Sequence, residues 1–208
     1  MRPGKIVCVG QNYHAHIREL NSEIPQEPVL FLKPSSALVG DGDDILIPRG
    51  LGRVDYEGEL AAIIGRRASR VSADEALQYV DSLAAFNDVT ARDVQSRARK
   101  AGLPWSLAKG IDTFAPLSAP FPLKKVPDVK ALTVETRLNG ELRQRGRVAD
   151  MIFSLEELIA FISSYMTLEK GDVVATGTPE GVGPLRDGDV VEVTIPGVAR
   201  VRNRVKSI

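Results

Sequence analysis

Glu57 and Glu59 stand two residues apart in DYEGELAAIIG, 55–65, a segment whose apolar, β-branched end reads as one long strand. Side chains at i and i+2 of a strand leave the same face, so the two carboxylates are predicted to share it. An isolated pair of this kind also occurs on solvent-facing edges. Here the strand runs directly into LAAIIG, which is too apolar for a wet edge, and like charges at the mouth of a buried strand repel unless a hard divalent cation lies between them. Asp88 closes a second apolar run, LAAFND, just ahead of a helical pattern. It reads as a helix N-cap or, with Glu57 and Glu59, as the third oxygen ligand of an octahedral Mg²⁺ or Mn²⁺. The two histidines, His14 and His16, both follow the first strand, so any imidazole base is one of them. His16 and Glu19 are i and i+3 on a helix, where the carboxylate would orient the ring, although an exposed surface pair has the same spacing.

The elements that must position these groups are short. KIVCVG and then QNYHAHIREL, with Tyr13, Ile17 and Leu20 at helical spacing, predict strand, turn and short helix. VLFLKP, ALVG and ILIP read as three strands punctuated by Pro and Gly. Ser72 with Glu75 and Ser154 with Glu157 each give a capping box, opening helices through Val80 and to about Met166. TARDVQSRARKAG predicts a helix with Thr90 and Asp93 in its first turn and Gly102 as its stop, followed by a long connection from Leu103 to Val129. Asn139-Gly140 sets a hairpin within 132–146, and DVVATGTP, DVVEVTI and VARVRNRV finish the chain as strands. About a dozen short strands and four short helices without βαβ alternation give an α+β, β-dominated class.

The whole composition narrows the partners. At 208 residues one domain, 1–208, is expected. Lys plus Arg and Asp plus Glu both number 27, so no global field favours nucleic acid or an anionic membrane. The basic runs RDVQSRARK and RVRNRVK admit a nucleic-acid module, but aromatics at 5% leave them without stacking platforms. One cysteine, Cys8, excludes an intrachain disulfide and a cysteine-rich zinc site. The five apolar residues IVCVG near the start are too few for a signal segment or a membrane span, which makes the cytoplasm the expected location.

Six motifs occur in order along the chain: N-Y-x-x-H-x-x-E from Asn12 to Glu19, F-L-K-P at 31–34, D-Y-E-x-E-L at 55–60, D-V-T-A-R-D-V-Q at 88–95, P-W-S-L-A-K at 104–109 and T-G-T-P-x-G-V-G at 176–183. Together they resemble the fumarylacetoacetate hydrolase superfamily, in its short acylpyruvate hydrolase and oxaloacetate decarboxylase-like branch. The resemblance implies a mixed β-sandwich roll that forms a homodimer, with Glu57, Glu59 and Asp88 as magnesium ligands and His16 with Glu19 as a water-activating dyad. It further implies that Gln95 helps position the attacking water, that Lys109 and Thr176 contact the carboxylate and oxo groups of the substrate, and that Arg92 assists. The implied substrate is a small anionic 2-oxo acid, a 3-acylpyruvate cleaved between C3 and C4 to pyruvate and a carboxylate. Oxaloacetate decarboxylation and isomerisation of a hydroxymuconate-type dienoate would use the same chelate. Three carboxylates around one dication leave a net negative charge, which gives Lys109 a compensating role toward an anionic substrate.

Overall fold

The computed structural model describes residues 2–19 and 22–208; Leu20, expected on the first helix, lies outside the described residues. Six strands form the largest sheet, in the order β10 (Phe121–Pro122), β7 (Val80–Asn87), β6 (Gly58–Ile64), β13 (Val173–Ala175), β1 (Ile6–Gly10) and β2 (Val29–Lys33). Its pairs are antiparallel except β1 with β13. A five-stranded sheet runs β12 (Glu141–Arg147), β11 (Thr133–Leu138), β15 (Val190–Ile195), β16 (Ala199–Ser207), β4 (Asp44–Ile47). Three short strands, β14 (Gly183–Pro184), β5 (Val54–Tyr56) and β8 (Thr90–Ala91), make a third sheet, and β3 (Leu38–Val39) pairs with β9 (Ala115–Pro116). Among the described residues, four α-helices join them: α1 (His14–Glu19), α2 (Arg92–Lys100), α3 (Ser106–Lys109) and α4 (Leu155–Tyr165). The class is α+β and β-dominated, as the sequence predicts.

Alternation places the main core. Val7, Leu60, Ala62 and Leu83 on one face of the six-stranded sheet meet Val134, Val193 and Val201 of the five-stranded sheet. Helix α4 closes that layer with Leu155, Leu158, Ile159 and Ile162, each 1% exposed or less. At roughly 1.5–3 kcal/mol for each fully buried aliphatic side chain, this layer holds the two sheets in register. The opposite face of the large sheet packs Ile6, Cys8, Ala84 and Phe86 under Ala37 and Ala115. Burial raises the Cys8 thiol well above its ordinary value, helped by the Asp88 and Glu59 charges, so this cysteine is inert.

Local signals fare differently. Asn139 and Gly140, both at positive φ, make the tight turn between β11 and β12. Ser154 and Glu157 form the complete capping box, with Ser154 Oγ accepting from the Glu157 amide and Glu157 Oε2 from the Ser154 amide. Ser154→Ala should lower stability by about 1 kcal/mol, read as a fall of about 2–4 °C in the melting midpoint. The Ser72 and Glu75 box does not form. Ala73–Tyr79 is a 3₁₀ helix whose Ser72 side chain makes no capping bond to the backbone and instead meets the Glu75 carboxylate at 3.4 Å.

Three expected spans are also corrected. The strand expected over 55–65 is two strands, β5 and β6, which belong to different sheets and break at Glu57. Thr90 lies in β8, paired to Asp55, so α2 starts at Arg92. The long connection after Leu103 contains α3, β9 and β10. Among the described residues, no helix is long and apolar enough to cross a membrane.

Candidate active site

The break at Glu57 is held by backbone pairing. Asp88 donates its amide to the Glu57 carbonyl at 2.8 Å, and the Glu57 amide donates to Asn87 Oδ1 at 3.0 Å. The end of β7 is thereby tied to the start of β6, so Asp88 is brought beside Glu57 and Glu59. Gly58 between the acids is obligatory for packing, since a Cβ there would sit 2.0 Å from Thr136 Oγ1 of the five-stranded sheet. One ligand oxygen from each of Glu57, Glu59 and Asp88 lies within 4.8 Å of the others, and all three residues are buried. Asp88 is not the cap of α2, whose N-cap position is Ala91.

Two cations donate hydrogen bonds to these acids. Lys109, from the end of α3 and 2% exposed, donates to Glu57 Oε2 at 3.0 Å, to Asp88 and to Thr90 Oγ1 at 2.6 Å. Its ammonium also stands 4.7 Å from the centroid of the Phe31 ring. Arg92 donates to Asp55 at 2.9 Å, to Gln95 Oε1 at 2.7 Å and to Glu57. Burial pushes the Glu57 carboxyl up, but Lys109 and Arg92 outweigh it and hold the group far below the usual carboxylate range. Burial likewise works against the charged forms of Lys109 and Arg92, and the acids win at both, raising them.

Glu59 is different. The hydrogen bond it accepts comes from the Gly177 amide, at 2.9 Å, and neither cation bonds it. Burial, with the charges of Asp88 and Glu57, raises its carboxyl well above the ordinary value. Asp88 Oδ1 is buried without a hydrogen bond although Lys33 Nζ is 2.8 Å away. The reason is that the Lys33 ammonium donates its three protons to the carbonyls of Val89, Lys109 and Phe114 at 3.0, 2.6 and 2.7 Å. A carboxylate that neither Lys109 nor Arg92 bonds and a carboxylate oxygen that accepts no hydrogen bond, both hard donors within one small volume, fit a divalent cation with oxygen preference.

The dyad joins this cluster across a cleft of about 520 Å³, which His16, Glu57, Glu59, Arg92, Gln95 and Lys109 all line. His16 is 4% exposed, and its Nδ1 lies 3.0 Å from Glu19 Oε2. With Nδ1 turned to the carboxylate, Nε2 is the nitrogen left to accept a proton. Glu19 Oε1 in turn accepts from the Gly181 amide at 3.1 Å. His14 is exposed and lines a separate cavity with Tyr13 and Arg18. Gln95 lines the cleft with its Oε1 occupied by Arg92.

Thr176 is not brought into the cleft. It is fully buried, and its hydroxyl donates to the Leu60 carbonyl at 2.9 Å. Thr178 lines the cleft instead, its Oγ1 donating to the Gly58 carbonyl. Two residues without an assigned role prove important to the geometry. Lys33 gathers the Lys109 and Val89 backbones beside Asp88, and its signal was a lysine closing the apolar run VLFL. Asn12, fully buried, donates to the carbonyls of Thr176 and Phe153 and accepts from the Phe153 amide, pinning the turn before α1 to the Gly177 loop.

Comparison with known proteins adds to this geometry. Residues 5–206 match the family described as fumarylacetoacetate (FAA) hydrolase C-terminal. The mitochondrial oxaloacetate tautomerase FAHD1 of Bos taurus is 46% identical over 201 residues, which cover 97% of this chain and 91% of that protein. The crystal structure of fumarylpyruvate hydrolase from Pseudomonas aeruginosa, in complex with Mn²⁺ and pyruvate, matches with a TM-score of 0.94 at 33% identity, over 98% of this chain and 90% of that one. The 5-carboxymethyl-2-hydroxymuconate delta-isomerase of Mycobacterium smegmatis matches with a TM-score of 0.89 at 40% identity, over 100% of this chain and 80% of that one.

Proposed function

The chain belongs to the fumarylacetoacetate hydrolase family, and on that premise we propose that it is a divalent-metal-dependent hydrolase that cleaves a 3-acylpyruvate to pyruvate and a carboxylate. The observation that carries the reading is a carboxylate-oriented imidazole lining one cleft with Glu57 and Glu59, which cluster with the buried Asp88 behind them. A Mg²⁺ or Mn²⁺ ion held by Glu57, Glu59 and Asp88 would supply Lewis acidity toward the developing enolate oxygen. His16 Nε2 takes a proton from water while Glu19 stabilises the imidazolium, and the hydroxide oxygen attacks C4. The C3–C4 bond then breaks with its electron pair passing to C3 as the pyruvate enolate. Proton return to C3 completes pyruvate, and the acyl fragment leaves as a carboxylate. Lys109 and Arg92 hold positive charge beside the acids, so an anionic substrate meets a compensated site.

The relatives named for isomerase and tautomerase activity support a second reading, proton transfer at C3 of a 2-oxo acid without attack by water. A panel of acetylpyruvate, fumarylpyruvate, oxaloacetate and a hydroxymuconate-type dienoate, each assayed with Mg²⁺, with Mn²⁺ and after chelation, separates the two. Hydrolysis predicts pyruvate release from the acylpyruvates that disappears on chelation. Acceleration confined to keto–enol or double-bond interconversion would overturn it in favour of the second reading.

A further inference from the structure

Helix α1 borders two cavities. His16 lines the cleft, while His14 and Arg18 line a second cavity of about 470 Å³ together with Tyr13, Asp150 and Glu180, and the two share no lining residue. Backbone pairing pins its walls. Tyr13 bridges to Met151, the Asn12 carbonyl accepts from the Ile152 amide at 2.9 Å, and a Cβ on Gly146 would sit 2.5 Å from Pro179, so the cavity is preformed. Its charges are unpaired. On the five-stranded sheet Arg143, Arg145 and Arg200 each reach a carboxylate. Arg18 on α1, Asp150 on the 3₁₀ turn Val148–Asp150 and Glu180 on the loop before β14 have no ion pair or hydrogen bond among the described residues, although one cavity holds all three. Tyr13 is 2% exposed, and its hydroxyl is buried without a hydrogen-bond partner among the described residues. Burial, with the charges of Glu59, Asp150 and Glu180, raises this phenol above its ordinary value, so it keeps a proton that nothing accepts.

We propose that this cavity is a second binding site, separate from the cleft, and that its ligand is a free α-amino acid with a small apolar side chain. A ligand of one sign is mismatched, since an anion meets Asp150 and Glu180 and a cation meets Arg18. An α-amino acid carries both signs on one carbon, so its carboxylate takes Arg18 while its ammonium takes the two acids. Tyr13 gives the inner wall a donor for the second carboxylate oxygen. Ala15 and Met151 leave an uncharged wall for the side chain, and Arg145, which also lines the cavity, is engaged by Glu135 at 3.5 Å. Arg18 and Glu180 immediately precede Glu19 and Gly181, which hydrogen-bond each other, so a ligand that holds the first two also steadies the carboxylate that orients His16.

Calorimetry on the Mn²⁺-loaded protein with L-valine, 3-methylbutanoate and 2-methylpropan-1-amine tests this, because the second lacks the ammonium of the first and the third lacks its carboxylate. L-Valine should bind about tenfold more tightly than either, and the amides of α1 and of Gly181 should exchange more slowly in its presence. The exposed substitutions Arg18→Gln and Glu180→Gln should each weaken L-valine binding about tenfold, and Tyr13→Phe, which keeps the ring, should weaken it several-fold. No binding of L-valine at millimolar concentration, binding of 3-methylbutanoate or the amine as tight as that of L-valine, or L-valine binding that survives Arg18→Gln and Glu180→Gln combined overturns the site. Since no arm measures turnover, each of these results leaves the hydrolase reading of the cleft untouched.

Discussion

Replacement of His16 by alanine should lower acylpyruvate hydrolysis by about 10² to 10⁴, equivalent to roughly 3–5 kcal/mol of barrier, while oxaloacetate decarboxylation falls appreciably less. The split follows from what each reaction asks of the cleft. Attack on C4 needs a proton taken from water, and His16 Nε2 is the oriented imidazole nitrogen that lines the cleft. Loss of CO₂ needs only an electron sink at the 2-oxo group. Glu19→Ala should follow the same pattern with a smaller loss, because it removes the ring's partner and also the acceptor for the Gly181 amide. His14→Ala serves as control, its side chain exposed and bordering another cavity. Equal losses for both substrates in the His16 variant, or a large loss in the His14 variant, would refute the assignment of the base.

Glu59→Gln should give a protein that no longer binds Mn²⁺ yet is more stable than the original when both are stripped of metal, by about 0.5–2 kcal/mol. Glu59 is the buried acid that neither cation bonds, and glutamine keeps an oxygen for the Gly177 amide while removing the charge. The pH dependence has a definite sign. Burial, with Asp88 and Glu57, raises this carboxyl in the folded state, so the fold binds its proton more tightly than the unfolded chain does. Its contribution is therefore fully present below the ordinary carboxylate pKa and is lost as pH rises through the raised value. Melting curves of the chelated protein from about pH 4 to pH 8 should show a downward slope that the substitution flattens. A variant that is less stable without metal, or that still gains stability from Mn²⁺, would refute the ligand assignment.

Much of this site was legible in residue types, less of it in local structure. Glu57 and Glu59 were paired by the two-residue period of a strand, yet Glu57 lies in a break between strands. The acids still converge, because the Glu57 backbone is held by Asn87 and Asp88, partners about thirty residues away that no local pattern reports. The two boxes share the same Ser-x-x-Glu pattern. The one at 154 caps an eleven-residue helix that buries Leu155, Leu158, Ile159 and Ile162, whereas the one at 72 precedes a 3₁₀ helix tied back through the Tyr79 carbonyl to the Gly65 amide. Thr176 and Thr178 would share a face in a continuous strand, but β13 ends at Ala175 and Gly177 at positive φ turns the chain between them, and it is Thr178 that lines the cleft. Lys33 carried no local hint of its three carbonyl partners, which come from segments 56 to 81 residues distant.

The break at Glu57 also makes the acid cluster a seam. Glu57 follows a strand of the three-stranded sheet, while Glu59 and the strand leading to Asp88 belong to the six-stranded one. No unfolded chain presents these three oxygens together, so an ion bound there binds the folded state alone and its concentration becomes a folding variable. By mass action, an ion present at a hundred times its dissociation constant adds about 2.7 kcal/mol to the folded state. That gain should appear as slowed hydrogen exchange on both sides of the seam, in β5 and β8 as well as in β6 and β7, so that supply of the ion governs how long the folded chain persists as well as how fast it turns over.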